Sequence, residues 1–175
     1  MAAVNAKFEF TGEVNALGLK RIRAKIAIGI SVKAGDLGGW IENEDNVAPT
    51  GDAWVYGNAW VYGNAWVYGD AQVYGNARVY GNAWVYGNAW VSGNAWVYGD
   101  AHIFVVGPVG SRDAYLTATV DAKIGIRIST GCFSGSLSEF RAEVKKTHGA
   151  DSFHGRMYMG IANLIALKFN AEIEA

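Results

Sequence analysis

From Gly51 to Phe104 the side chains alternate in character within a six-residue period that repeats nine times without an insertion. In Ala53-Trp54-Val55-Tyr56 a small or aliphatic residue follows or precedes an aromatic one at each step. A strand sends successive side chains to opposite faces, so Ala and Val share one side and Trp and Tyr the other. Each phrase then closes on Gly-Asn or Gly-Asp, residues that accept the positive φ a corner needs. A short strand plus a two-residue corner, repeated at a fixed interval, winds a solenoid with flat sides. Ala and Val fit its narrow interior. An inward Trp at every strand would overfill it, so the pattern predicts indoles and phenols on the outside.

The flanks follow other rhythms. Lys7-Phe8-Glu9-Phe10 and Arg21-Ile22-Arg23-Ala24-Lys25-Ile26 alternate like strands, and the turn residues Asn15-Ala16-Leu17-Gly18 between them predict a hairpin. Residues 1–35 read as an N-terminal β cap and 36–106 as the repeat solenoid, with 36–50 an imperfect opening coil. A cap is expected because a bare solenoid end would template further stacking. Residues 107–175 read as a C-terminal ββαα unit. Its strands are expected over 113–120 and 124–129, and Ser136-Leu137-Ser138-Glu139 as a capping box opening a helix that buries Leu137, Phe140 and Val144. A second helix is expected after Asp151, with Phe153, Met157, Ile161, Leu164 and Ile165 at helical spacing.

The phrase Val55-Tyr56-Gly57-Asn58-Ala59-Trp60 resembles the hexapeptide repeat of left-handed β-helices. This resemblance implies the left hand and three hexads per coil, giving three to four coils in all. Residues eighteen apart would then stack at about 4.8 Å. The outward columns become Trp54-Gln72-Trp90, Trp60-Arg78-Trp96 and Trp66-Trp84-His102, with Tyr62-Tyr80-Tyr98 among the companions. Arg78 would lie between two indoles, and Asn58-Asn76-Asn94 could form an amide ladder. Asp52 above Asp70 is a like-charge pair, to be relieved by solvent or a cation.

Charge narrows the range of partners. The formal net charge is −1, and Arg78 is the only Lys or Arg inside the repeats. Binding to duplex nucleic acid, which needs several cationic contacts to phosphate, is not expected. No apolar stretch reaches membrane-spanning length, and the opening residues lack a secretory signal pattern. A cytoplasmic setting is expected. The single cysteine, Cys132, excludes an internal disulfide. His102, His148 and His154 show no ligand spacing, so neither a metal nor a cofactor is implied.

What remains is the aromatic surface. Monomers seldom expose apolar patches beyond about 300–600 Å², and one covered Trp buries about 150–250 Å². The candidate contact residues are therefore Trp54, Trp60, Trp66, Arg78, Trp84, Trp90 and Trp96 with Tyr62, Tyr80 and Tyr98. Homo-oligomerisation, with a trimer favoured, is one use of such faces. Stacking on a sugar or nucleotide ligand is another.

A second candidate is the polar corner formed by Arg112, Cys132, Ser134 and His148. Arg112 facing free amides near Ser134 would suit an anion. Cys132 precedes the capping-box helix, whose dipole would activate a thiol at its N-terminus; a buried structural cysteine is the simpler expectation. His148 ends that helix about 18 Å along its axis, too far for a Cys–His pair within one chain. Many hexapeptide-repeat proteins resemble acyltransferases with a catalytic His and an extruded loop. Here the coils carry no such loop, and His102 is their only histidine.

Over nearly its full length the chain also resembles small bacteriophage and prophage proteins. The shared pieces are Phe8-Glu9-Phe10-Thr11-Gly12, Leu19-Lys20-Arg21-Ile22-Arg23-Ala24, Lys33 to Glu42, the GNAWVYG array, Gly110-Ser111-Arg112, Gly131-Cys132-Phe133 and Thr147-His148-Gly149. The resemblance implies a phage-type accessory protein in the host cytoplasm or the virion. The expected function is non-enzymatic binding of a host protein or a nucleotide-like ligand, with counter-defence as one role. The alternatives are a structural or adhesive virion component that binds glycans, and an acyltransferase-like enzyme.

Overall fold

The computed structural model describes residues 5–99 and 102–171. Asp100 and Ala101 of the last hexad lie outside the described residues, as do residues 1–4 of the expected cap and 172–175 of the C-terminal unit. The chain is a β-solenoid with an elaboration at each end. It opens with strands β1 (Phe8–Val14), β2 (Lys20–Ala24) and β3 (Leu37–Ile41). The repeats supply eight two-residue strands, β4 (Trp54–Val55), β5 (Trp60–Val61), β6 (Trp66–Val67), β7 (Gln72–Val73), β8 (Arg78–Val79), β9 (Trp84–Val85), β10 (Trp90–Val91) and β11 (Trp96–Val97). They pair in parallel as three ladders, β3-β5-β8-β11, β4-β7-β10 and β6-β9. Trp54 pairs with Gln72 and Gln72 with Trp90, a register that returns eighteen residues later, as in the hydrogen bond from Asn64 Nδ2 to Asn82 Oδ1.

The interior is as the alternation requires. Every Ala and Val of these hexads is buried, most of them completely. The corner glycines from Gly51 to Gly93 take positive φ, for example 72° at Gly51, and the Asn and Asp residues that follow them do not. A Cβ on Gly51 would also lie 2.5 Å from the carbonyl oxygen of Gly69 in the next coil. Conformation and stacking thus both demand glycine there.

Neighbouring parallel coils exchange N–H···O=C bonds in both directions, among them Trp54 N to Ala71 O at 3.0 Å and Arg78 N to Ala95 O at 2.8 Å. Each end of the solenoid therefore presents spare carbonyls and amides, and buried ones need partners. Side-chain donors serve carbonyls at the first end. The Lys7 ammonium reaches Ala53 O at 2.8 Å and Ala48 O at 3.2 Å, and the Asn5 amide reaches Val47 O at 3.2 Å. Burial pushes the Lys7 pKa down, and the charges of Asp52 and Asp70 oppose that shift. The like-charge pair expected in the corner column thus has a cation built into the chain beside it. Over this end β1 and β2 form the expected hairpin, which continues through β3 into the Trp60 face.

Both acceptors and a donor close the other end, the donor being Ala122 N to Asn94 O at 3.4 Å. A four-stranded antiparallel sheet lies across the last coil: β12 (Ile103–Val109), β13 (Ala114–Asp121), β14 (Gly125–Thr130) and β15 (Phe133–Ser136). Thr117 Oγ1 accepts from Trp90 N at 3.0 Å and Asp121 Oδ2 from Asn94 N at 3.2 Å, while the Ser92 and Ser129 hydroxyls meet at 3.1 Å. Alternate residues of the same strands, Leu116, Ala118 and Ile128, form a second core with helices α1 (Leu137–His148) and α2 (Phe153–Lys168).

The C-terminal unit thus has two strands more than expected, one of them growing straight out of the last hexad. Ser136 caps α1 in the expected box with Glu139. Along α2 the expected apolar face is rotated. Tyr158, Ile161, Ala162 and Ile165 are buried, while Phe153 and Leu164 are exposed. Small Ala162 and Ala166 are buried in the core shared with Leu116, Ala118 and Ile128.

Candidate functional site

The aromatic columns point away from the Ala and Val interior, but the flanks decide which remain accessible. Trp54 is wholly buried. It packs edge-on against Phe8 at 6.3 Å between ring centres, and a Cβ on Gly38 would collide with its indole. This corrects the expectation that Trp54 offers a contact surface, because the N-terminal elements take that indole into their own core. On the same face Gln72 and Tyr74 are half-buried, Trp90 is 36 % exposed, and Ser92 is buried under the C-terminal sheet.

The Trp60 face is a mixed ladder. The Arg78 guanidinium lies 4.5 Å from the Trp60 ring and 5.9 Å from that of Trp96, so one cation serves two indoles. One coil earlier Arg21 lies 5.5 Å from Trp40. Tyr62 and Tyr80 stack at 5.0 Å with nearly parallel planes, and Tyr98 continues the column at 5.7 Å. Exposure grows along the column. Trp60, Tyr62 and Tyr80 are half-buried, whereas Trp96 and Tyr98 are exposed.

The Trp66 face is the most open. Trp66 is 38 % exposed and Trp84 is 50 %, with Tyr86 exposed beside them. The two indoles meet edge to face, 6.2 Å apart at 88°, while Tyr68 stacks on Trp66 at 4.2 Å and on Tyr86 at 5.6 Å. His102 ends this region half-buried, edge-on to Tyr98 at 4.3 Å. The side-chain hydrogen bond within a corner column here runs from Asn64 Nδ2 to Asn82 Oδ1, not in the column of Asn58 where a ladder was expected.

The polar corner is rearranged relative to the sequence reading. Because β15 runs between Cys132 and Ser136, it carries the chain from one end of α1 to the other before the helix begins. Cys132 therefore lies by the C-terminal end of α1, not its N-terminus. It is exposed, not buried, and accepts a 3.5 Å contact from Arg112 Nη1. Arg112, Cys132, Thr147, His148 and Tyr158 all line one cavity of about 270 Å³. Cys132 and His148, assigned above to opposite ends of the helix, thus share a single site. Ser134 does not belong to it. Its hydroxyl accepts from Arg127, and the Ser136 amide is taken by the Glu139 carboxylate at 2.7 Å. Ser134, Gly135 and Ser136 do not line the cavity that Arg112 enters, so the residues expected to form an anion pocket are not brought together there. Those bonds from Ser136 hold the Glu139 carboxyl below its ordinary range.

A family model separates the repeat array from its flanks. The YdcK beta solenoid repeat matches residues 53–69, 71–87 and 83–99. The array is thus similar to a known β-solenoid repeat, while the match reaches neither the hairpin nor the C-terminal unit. The curated proteins and the solved structures gave no match. Among the described residues no helix is long and apolar enough to cross a membrane.

Proposed function

We propose that this protein is a non-enzymatic binding scaffold, a stiff solenoid that meets its partner through the aromatic columns its caps leave open. The observation that carries this is the contrast in exposure. Both solenoid ends are closed by built-in hydrogen-bond partners, yet Trp66, Trp84, Tyr86, Trp96 and Tyr98 stay exposed on the sides. Several large aromatics held in a row on a rigid ladder exceed what a free-standing surface usually shows. Rigidity lowers the entropy cost of docking, because the columns are already ordered.

In this reading the solenoid is left-handed with three hexads per coil, as the hexapeptide resemblance implies, and one aromatic face joins copies of the chain into a trimer. The remaining face holds a partner. The resemblance to phage and prophage proteins favours an accessory role in the host cytoplasm, with capture of a host protein in counter-defence as one instance.

The test is sedimentation of the purified chain beside Trp66→Ala/Trp84→Ala and Trp96→Ala/Tyr98→Ala. The reading expects a concentration-dependent oligomer that at least one double variant dissociates, with both variants still folded. A chain that stays monomeric at all concentrations, and whose variants retain every interaction of the parent, would overturn it.

A further inference from the structure

Beside the Trp66 face lies a groove of about 840 Å³, walled on one side by the turn from Asn43 to Thr50 and on the other by Trp66 and Trp84. Its charged lining residues are Glu44 and Asp45, with no Lys, Arg or His among them. The indoles stand at 88° to one another, so their planes form a corner, not a flat platform. An indole face carries the negative side of the ring quadrupole, and a carboxylate carries a full negative charge. Both kinds of wall attract the same guest. A sugar ring would stack best on a single flat indole, and an anion would be repelled by Glu44 and Asp45, the charged groups among the described lining residues.

Resting on the reading of this face as a binding surface, we propose that the groove receives a cationic side chain of a basic peptide segment. Its ammonium or guanidinium group sits in the corner of Trp66 and Trp84 against the Asp45 carboxylate. Glu44 contributes charge while its Oε2 accepts from the Asn5 backbone N–H at 2.9 Å, so it is fixed in place by the cap. Asp45 is exposed and lies in the short 3₁₀ turn Glu44–Asn46. Charge complementarity thus selects the occupant, and the right-angled indoles separate it from a merely electrostatic encounter.

The probe is a fluorescein-labelled hexapeptide of lysine, read by anisotropy against the wild-type chain, Trp84→Ala and Asp45→Asn. Labelled hexaglutamate and unlabelled cellohexaose serve as comparators. The expected result is saturable binding of the lysine peptide, weakened at least about fivefold by either substitution, the scale of a partly desolvated cation–π contact. Hexaglutamate should not bind and cellohexaose should not compete. Equal affinity for all three chains would mean diffuse charge attraction and would overturn the proposal, as would cellohexaose competition. Asp45→Asn leaves the aromatic walls intact, so the test survives any damage done by Trp84→Ala. Sedimentation of the same samples keeps the two readings apart. An assembling chain that ignores the lysine peptide defeats this inference alone.

Discussion

Trp54 and Trp84 hold the same position in nearly the same phrase, GDAWVY and GNAWVY, yet one is fully buried and the other half exposed. Both strands pair in register with coils eighteen residues away, and both send Ala and Val inward. The difference lies outside the hexad. Phe8, Ile22 and Gly38 close over Trp54, whereas among the described residues no such cover is built over Trp84, which stays 50 % exposed. The repeat therefore sets which way an indole points, and the flanks set what it then does. One copy of the phrase is a structural anchor; the other is available for contact.

Substitution should break that equivalence most sharply at the buried copy. Trp54→Ala is expected to cost about 3–5 kcal/mol, the usual loss for a large aromatic removed from a closed core, measured by urea unfolding at neutral pH. Next in size comes the plug beneath it. Lys7→Met leaves the Ala48 and Ala53 carbonyls without their donor and should cost about 1–3 kcal/mol.

Its pH signature has a definite sign. The folded Lys7 pKa lies below the ordinary 10.5, so the folded chain holds fewer protons than the unfolded one in the window just under that value. Lys7 therefore makes stability rise with pH across the window, and the Met variant should lose that rise.

The opposite end should respond to acid. Burial alone would push the Asp121 carboxyl up, but the Arg127 hydrogen bond and charge and the Lys123 and Ile124 amides outweigh it and hold the group below 3.8. A depressed carboxyl stabilises above its unfolded value and loses that contribution as pH falls through the folded one. Unfolding followed from pH 5 down to about pH 2 should therefore show a smaller acid loss in Asp121→Asn than in the parent. Smallest of all, Trp84→Ala should stay within about 0.5 kcal/mol of the parent, as surface changes do. If Trp54→Ala and Trp84→Ala proved equally costly, the distinction between anchor and contact would fail.

The repeat made its own half of this legible. Alternation within Ala-Trp-Val-Tyr, with glycine at each corner, is enough to place the interior and the outward side chains; the columns, and Arg78 beside two indoles, needed the eighteen-residue coil that the hexapeptide resemblance implies. Ser136 and Glu139 likewise announced the start of α1. The flanks were harder because their partners are distant in sequence. Lys7 reads as one polar position of an alternating strand, and its burial follows only from the Ala48 and Ala53 carbonyls more than forty residues on. The burial of Trp54 has the same cause.

The Cys132 corner was misplaced for a local reason. Phe133–Ser136 is short and carries Ser and Gly, so it reads as a loop leading into a helix, when it is an edge strand that reverses the geometry. A four-residue run with Phe at one end and a capping serine at the other was the available signal. It becomes decisive only when paired with the strand Gly125–Thr130.

The most direct test of the central claim is residue-resolved oxidative footprinting of the tryptophans by mass spectrometry, on the dilute chain and on its assembled or partner-bound form. The account predicts that Trp54 is protected in every sample, and that Trp84 and Trp66 are modified in the dilute chain and protected on assembly or partner binding. Rapid oxidation of Trp54 in the folded chain, or Trp66, Trp84 and Trp96 reacting equally in both forms, would contradict it.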